Sequence, residues 1–570
     1  MKKFRFILAL VLVLTMVLST PLMALAKSWD VTDSAGVENA FATDTDDEVI
    51  INMQNDIVME NSVVANEGQN YTINGNGNTI ADVMIGGEGS VEINADVTSE
   101  VNSAAMEVYD AASVTVNGDV TGKSGNPDDV DYSDPMAYSD GDAGVYAYDQ
   151  AEITINGDVS GGNGYGTYGY AGDGVYAEDE AKVTVNGNVT GGSVTADPEV
   201  EPYYNEEYDY YNNAHAGDGV EVNGEATVIV TGDVTGGSTN GDMGNGGYGV
   251  YADGGSHYDE YGEFVSEIPS VTVGGDVTGG NATNGTAGDG VFAADLAKVE
   301  VDGSVTGGDA TSGLAGAGIY TTNDSIITVG GDVTGGTATD GGESGNGIYA
   351  DCNGYYWEGN EEGIEQGSVT VKGTVSGGEG AASIFFPVYE EDVEYIQDVM
   401  EEVENLDFEA NLEAALEKDP ADYTEDDEDL MYLEMALDIM MRNGDLTPEE
   451  VNAFFEGTSS LESVEEIVAF AQEFIKEQMT GEMDPMKLAL SNTGYTYSNI
   501  TVGAVSKENG PAYGSNAGEK YAQAVADIYV EEVGIATPNT GDSFNPMLVL
   551  AVALVSLMGT AALVFKKKAA

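Results

Sequence analysis

Basic residues are nearly missing from this chain. It carries 17 lysines and arginines against 101 aspartates and glutamates, a formal net charge of −84 over 570 residues. Such a surface repels nucleic acid and anionic lipid, and it attracts cations. Cysteine is missing too. The single Cys352 excludes any intrachain disulfide, so the core must come from packing alone. Cys352 itself reads as a small buried residue or an inert loop thiol. Two histidines, His215 and His257, complete the short supply of basic groups.

Glycine is plentiful, with 77 residues, and it recurs beside short valine runs. One stretch organises the chain: Val271-Thr272-Val273-Gly274-Gly275-Asp276-Val277-Thr278-Gly279-Gly280. It returns at Val114–Lys123, Ile153–Gly162, Val183–Gly192, Val228–Gly237, Val299–Gly308, Ile327–Gly336 and Val369–Gly378, with a weaker copy at Val91–Glu100. Two β-branched residues flank one outward residue, which predicts a short strand of period two. A turn pair follows, with glycine always second. The spacing suggests a left-handed corner there, which glycine adopts at no steric cost. Another inward valine comes two positions later. A partner motif, Gly-x-Gly-Val-Tyr-Ala at Gly172–Ala177, recurs in related form at Gly247–Ala252, Gly288–Ala293 and Gly345–Ala350. One repeat therefore holds about three short strands. Gly275, Gly303 and Gly331 are 28 residues apart, and longer intervals hold inserted loops.

A period in this range predicts a solenoid, because one such unit cannot bury its apolar face while a stack can. Leucine-rich repeats lack their leucine ladder here, and a propeller blade needs four strands. The expected fold is an all-β solenoid, a right-handed parallel β-helix, over residues 91–380. Residues 27–90 form its N-terminal cap and first coils, with a short helix at Ala35–Phe41. Asparagines in Asn74-Gly75-Asn76-Gly77-Asn78 are expected to hydrogen-bond between coils. The pattern resembles the pectate-lyase-like β-helix family, including its bacterial adhesin-like members, over roughly Trp29–Gly380.

From Phe385 glycine nearly vanishes, and amphipathic patterns predict a smaller α-helical domain or insertion at 388–486. Residues 487–536 then read as terminal strands and linker, with strand-like alternation at Tyr495–Val505.

The two ends carry targeting signals. Residues 1–26 have a basic start, an apolar run and Ala24-Leu25-Ala26, a signal peptide with a cleavage site set by Ala24 and Ala26. At the other end Thr537-Pro538-Asn539-Thr540-Gly541 precedes an apolar run at 546–565, long enough to span a bilayer, and a basic tail at 566–570. This arrangement resembles a Gram-positive sortase sorting signal. In that family the enzyme cleaves between the threonine and glycine of Leu-Pro-x-Thr-Gly and links the threonine to the wall. Pro538, Thr540 and Gly541 match; Thr537 stands in place of leucine. The resemblance implies sortase and peptidoglycan as partners, display at the surface of a Gram-positive bacterium, and membrane contact only through the C-terminal segment before processing. Removing residues 1–26 and 542–570 leaves 11 basic against 100 acidic residues, a net charge of −89.

Long insertions at about 124–142, 193–216, 253–268 and 351–366 are rich in acids and tyrosine. Loops on a rigid scaffold are where binding concentrates. Tyr203, Tyr204, Tyr208, Tyr210, Tyr211, Tyr355, Tyr356 and Trp357 are the candidate ligand-binding residues, since aromatic rings beside carboxylates suit sugars. Asp128, Asp129, Asp131 and Asp134 form an acidic loop whose oxygens suit Ca²⁺, the one cofactor the chain suggests.

No catalytic residue is expected. Lyases of the resembled family need a basic proton abstractor, and the repeats hold only Lys123, Lys182, Lys298 and Lys372. The polygalacturonase motifs are missing as well. The expected function is a wall-anchored, non-enzymatic adhesin that binds a glycan, or a host or neighbouring-cell surface. A polysaccharide lyase or glycoside hydrolase is the first alternative, and a shielding protein without a specific ligand the second.

Overall fold

The structure, a computed structural model, describes residues 27–130, 138–196, 204–205, 210–211, 213–241, 243–258, 264–322, 325–351, 368–387, 408–424, 427, 429–433, 436–437, 461, 463–478 and 500–515. The alternating valine pattern produces strands that pair in parallel with the same segment of the next repeat. Val114 sits opposite Ile153, Ile153 opposite Val183, and Val183 opposite Val228. The result is an all-β, solenoid-like stack with three strand faces. The first face holds segments such as Ser270–Val273, the second the two-residue strands such as Val277–Thr278, and the third segments such as Val291–Ala294. The first two faces form one 23-stranded sheet, because Ser368–Ser376 runs through the corner as a single strand pairing on both. The third face is a 12-stranded sheet.

Every coil turns valine, isoleucine or alanine inward. Val271, Val273, Val277, Val291 and Ala293 are all essentially buried, as are their counterparts in neighbouring coils. Fully burying one such valine contributes about 1.5–3 kcal/mol, and stacking repeats that gain coil after coil. At the N-terminal end, helix α1 (Ser34–Thr43) lays Val37, Ala40 and Phe41 over the first layer. Asp33 caps it by accepting the Gly36 N–H at 2.9 Å. Phe41 stacks on Tyr71 with ring centroids 4.0 Å apart.

Polar ladders run along the corners. Asn74, Asn94, Asn117, Asn156 and Asn186 each donate a side-chain N–H to the asparagine one coil earlier, at 2.7–3.1 Å. The aspartates of the corner form a second ladder. Asp119 Oδ1 accepts the Asp158 N–H, Asp158 Oδ1 the Asn188 N–H, and Asp233 Oδ1 the Asp276 N–H, at 2.8–2.9 Å. Much of the acidity of the repeats therefore has a structural use. Each carboxylate holds a backbone donor of the next coil.

The corner glycines need a different explanation from the one their sequence suggests. Gly275, Gly303 and Gly331 are not among the residues with positive φ. Glycine is required there by close approach: a Cβ on Gly303 would lie 2.4 Å from the carbonyl oxygen of Gly275 in the preceding coil. Left-handed backbone occurs elsewhere, at Asp110, Asp149 and Asp179, with φ of 57–59°.

The helical segment interrupts the solenoid. The chain leaves after Ile384–Phe386 and returns as Ile500–Val505 and Tyr513–Ser515, which pair with Ser368–Ser376 and Ile384–Phe386. Between them lie helices α2 (Phe408–Glu417) and α3 (Val464–Gln478). Gln472 of α3 donates to the carbonyls of Ala415 and Lys418 at 2.6 and 3.0 Å, and Lys418 pairs with Asp427 and Asp429. Among the described residues no helix is long and apolar enough to cross a membrane; residues 546–565 lie outside them.

Candidate binding face

The third face carries a feature that strand alternation alone creates. In Gly-x-Gly-Val-Tyr-Ala the valine and the alanine point inward, so the tyrosine points out. Register then puts outward residues in one column: Glu107, Tyr146, Tyr176, Glu221, Tyr251, Phe292, Tyr320, Tyr349 and Phe385. The five consecutive rings from Tyr251 to Phe385 stack with centroids 4.8–5.3 Å apart. Their planes differ by only 5–14° between Tyr251 and Tyr349. The spacing follows from the distance between paired strands, roughly 4.8 Å. Each such aromatic pair adds about 0.5–1.5 kcal/mol beyond its buried area.

A second outward column lies two residues further along each strand and brings carboxylates beside the rings. Tyr146 and Tyr176 both donate their hydroxyls to Glu178, at 2.5 and 3.2 Å. Tyr148 donates to Glu107 at 2.9 Å, Tyr251 to Asp253 at 3.2 Å, and Tyr320 to Asp351 at 2.9 Å. Burial, reinforced by these carboxylates, raises Tyr146, Tyr148 and Tyr251 above the usual phenol range. Burial also pushes Tyr176 up to about 12.

A group of three carboxylates lies at the edge of this face. Ligand oxygens of Asp173, Asp218 and Glu221 lie within 4.8 Å of one another, the right chemistry for a divalent cation. Asp173 Oδ1 accepts the Asp218 N–H, and Asp218 Oδ1 the Tyr248 N–H, both at 2.7 Å. Burial raises Asp173 to about 6 and Glu221 to about 7; it raises Asp218 well above the carboxylate range, helped by the charge of Asp173. Asp289 repeats the arrangement two coils on. It accepts the Ala317 N–H at 2.6 Å and is raised by burial to about 7.

An open groove of about 680 Å³ runs beside the second face, lined by Ser238, Asn281, Asp309 and Thr337 and their neighbours. Its polar side chains are spent on the coil-to-coil ladder. Ser238 Oγ accepts the Asn281 N–H, Asn281 Oδ1 the Asp309 N–H, and Asp309 Oδ1 the Thr337 N–H.

The residues singled out in the sequence fall mostly elsewhere. Tyr204–Asn205 and Tyr210–Tyr211 form an antiparallel hairpin, in which Tyr204 faces Tyr211. Tyr203, Tyr208, Tyr355, Tyr356 and Trp357 lie outside the described residues, as do Ala24, Ala26 and Thr537–Gly541. Asp128 is exposed in a single 3-10 turn, Pro127–Asp129; Asp131 and Asp134 lie outside the described residues. The sequence alone does not reveal the aromatic column, although Tyr176, Tyr251, Phe292 and Tyr349 stand in the Gly-x-Gly-Val-Tyr-Ala copies. Comparison of the chain with family models, with curated proteins and with solved structures yields no match.

Proposed function

We propose that this chain is a non-enzymatic surface adhesin: a secreted right-handed β-helix, linked through Thr540 to the wall of a Gram-positive bacterium, that binds a glycan on a host or neighbouring cell. The observation that carries the reading is the continuous outward column of aromatic rings and carboxylates on the third face. A rigid scaffold with recognition groups repeated at the coil spacing suits a linear polymer of many weak, identical contacts. Attachment at Thr540 would leave the helical insertion and the last coil nearest the wall and the aromatic column further out.

The test is a glycan panel probed with residues 27–541, with and without Ca²⁺. The expected result is saturable binding to one sugar class. It should persist when residues 203–211 and 355–357 are deleted, because the column lies on the strands. Silence across the panel in both conditions overturns the adhesin reading and favours a shielding role. Release of reducing ends or unsaturated uronates from any polysaccharide overturns the non-enzymatic part.

A further inference from the structure

Stacking decides what the third face offers to a ligand. Parallel rings 4.9 Å apart cover one another's faces, and Phe292, Tyr320 and Tyr349 each have a ring on both sides. A neutral sugar stacks on an open ring face, and these are closed. What reaches solvent is ring edges, phenol oxygens and carboxylates. The phenol protons of Tyr251 and Tyr320 are already donated to Asp253 and Asp351. The face is therefore rich in acceptors, with a gap at Phe292 and Ala294. One acceptor has no donor: Asp253 Oδ1 is buried without a hydrogen-bond partner. Neither outward column contains a lysine or arginine between Glu107 and Phe385.

Building on the glycan-binding reading above, the geometry points to a linear polymer of amino sugars with free ammonium groups as the ligand of this face. Each unit of such a polymer brings one cation, and an extended chain of pyranose units repeats at close to the coil spacing. Units of an extended β-1,4 chain face alternate sides, so ammonium groups on one side recur every second unit, close to two coil spacings. They meet the oxygens of Glu178, Asp253 and Tyr320, which stand on alternate coils; the coil of Phe292 and Ala294 between the last two offers none. A lysine-rich strand fits less well. Its same-side charges recur every two residues, roughly 6.6 Å, which falls out of step with coils roughly 4.8 Å apart. The net charge of −84 draws any polycation to the molecule; the spacing selects among them. Burial raises the Asp253 carboxyl, so its charged form gains from an added cation.

The test is calorimetric titration of the full-length purified chain with a glucosamine hexamer and with its fully N-acetylated counterpart. These share a backbone and differ in charge. The expected result is saturable, salt-dependent binding of the glucosamine hexamer, at least ten-fold tighter than the acetylated one. The double variant Asp253→Asn/Asp351→Asn keeps oxygens for the tyrosine hydroxyls and should weaken binding at least ten-fold with no loss of melting temperature. The triple variant Glu60→Gln/Glu67→Gln/Glu88→Gln, at exposed sites in the first coils, removes more charge and should leave binding intact. Equal binding of both hexamers overturns the cationic ligand but leaves the glycan reading standing. No binding of either hexamer, with a silent glycan panel, overturns both. Binding of hexalysine as tight as the glucosamine hexamer, with both variants alike, reduces the effect to bulk charge and overturns the site.

Discussion

The melting temperature of the protein is expected to fall by at least 5 °C between pH 5 and pH 8, the reverse of the usual course for a protein held by ion pairs. Asp289 carries the argument. Burial raises its carboxyl from 3.8 to about 7. Between those values the folded chain holds a proton that the unfolded chain has released. Stability must then decline as pH rises through that window. The contribution is complete below about pH 4 and gone above about pH 7. At 1.36 kcal/mol for each tenfold change in proton affinity it is on the order of 4 kcal/mol for Asp289 alone. Asp173, at about 6, and Glu221, at about 7, act in the same direction. Thermal unfolding followed by circular dichroism across the range measures the effect. The variant Asp289→Asn isolates it. An amide oxygen can still accept the Ala317 N–H, as Asn346 Oδ1 accepts the Ala382 N–H at 3.1 Å. It should raise the melting temperature at pH 8 and flatten its dependence on pH. A melting temperature that climbs from pH 5 to pH 8 would show that the buried carboxylates do not govern the fold's response to pH.

Gly280→Ala is expected to be among the most damaging single substitutions in the solenoid. A Cβ at Gly280 would stand 1.6 Å from the carbonyl oxygen of Gly237 in the coil before it. The obstacle is backbone, and it is pinned by the strands on either side. Gly237 itself has Gly192 O at 1.8 Å from its Cβ position, and Gly308 has Gly280 O at 2.1 Å. The column cannot yield at one level without yielding at the next. The expected cost is about 3 kcal/mol or more, the upper range for overpacking. Because stability in a stack is a sum over neighbouring interfaces, the loss should divide the molecule. Unfolding in urea should change from one transition to two. Thr278→Ala, two residues away on the outward side, should cost less than about 0.5 kcal/mol. Equal effects of the two substitutions would refute the close-approach account.

The fold was legible because its unit is short and its valines alternate. Val271, Val273 and Val277 announce two strands and a corner within seven residues, and eight further copies show that the units stack. The glycine of that corner was legible as a residue but not as a reason. A single unit suggests a turn with positive φ, whereas the neighbour one coil earlier sets the constraint. The asparagines were legible as a ladder because Asn74, Asn76 and Asn78 crowd one corner. The aromatic column was not. Tyr176, Tyr251 and Tyr349 share a motif, but loops of different length separate them, and neighbours in the column lie between 28 and 45 residues apart. Phe292 stands in a related copy with phenylalanine for tyrosine, and Tyr320 and Phe385 complete the stack from units outside those copies. In the tyrosine-rich loops such as 203–211 the aromatic residues are adjacent in sequence. On the third face they are adjacent only in space. The Asp173, Asp218 and Glu221 group was hidden for the same reason, in a chain where acidic residues are everywhere.

Carboxyl footprinting tests the central claim most directly. Residues 27–541 are labelled at carboxyl groups with a diazo reagent, which esterifies carboxyls without coupling them to amines, in the presence and absence of the glucosamine hexamer, and the modified positions are read by mass spectrometry. The account predicts protection at Glu221, Asp253 and Asp351 on the third face and none at Asp309 in the groove beside the second. Protection at Asp309 with the third face labelled as before would place the ligand elsewhere and contradict it.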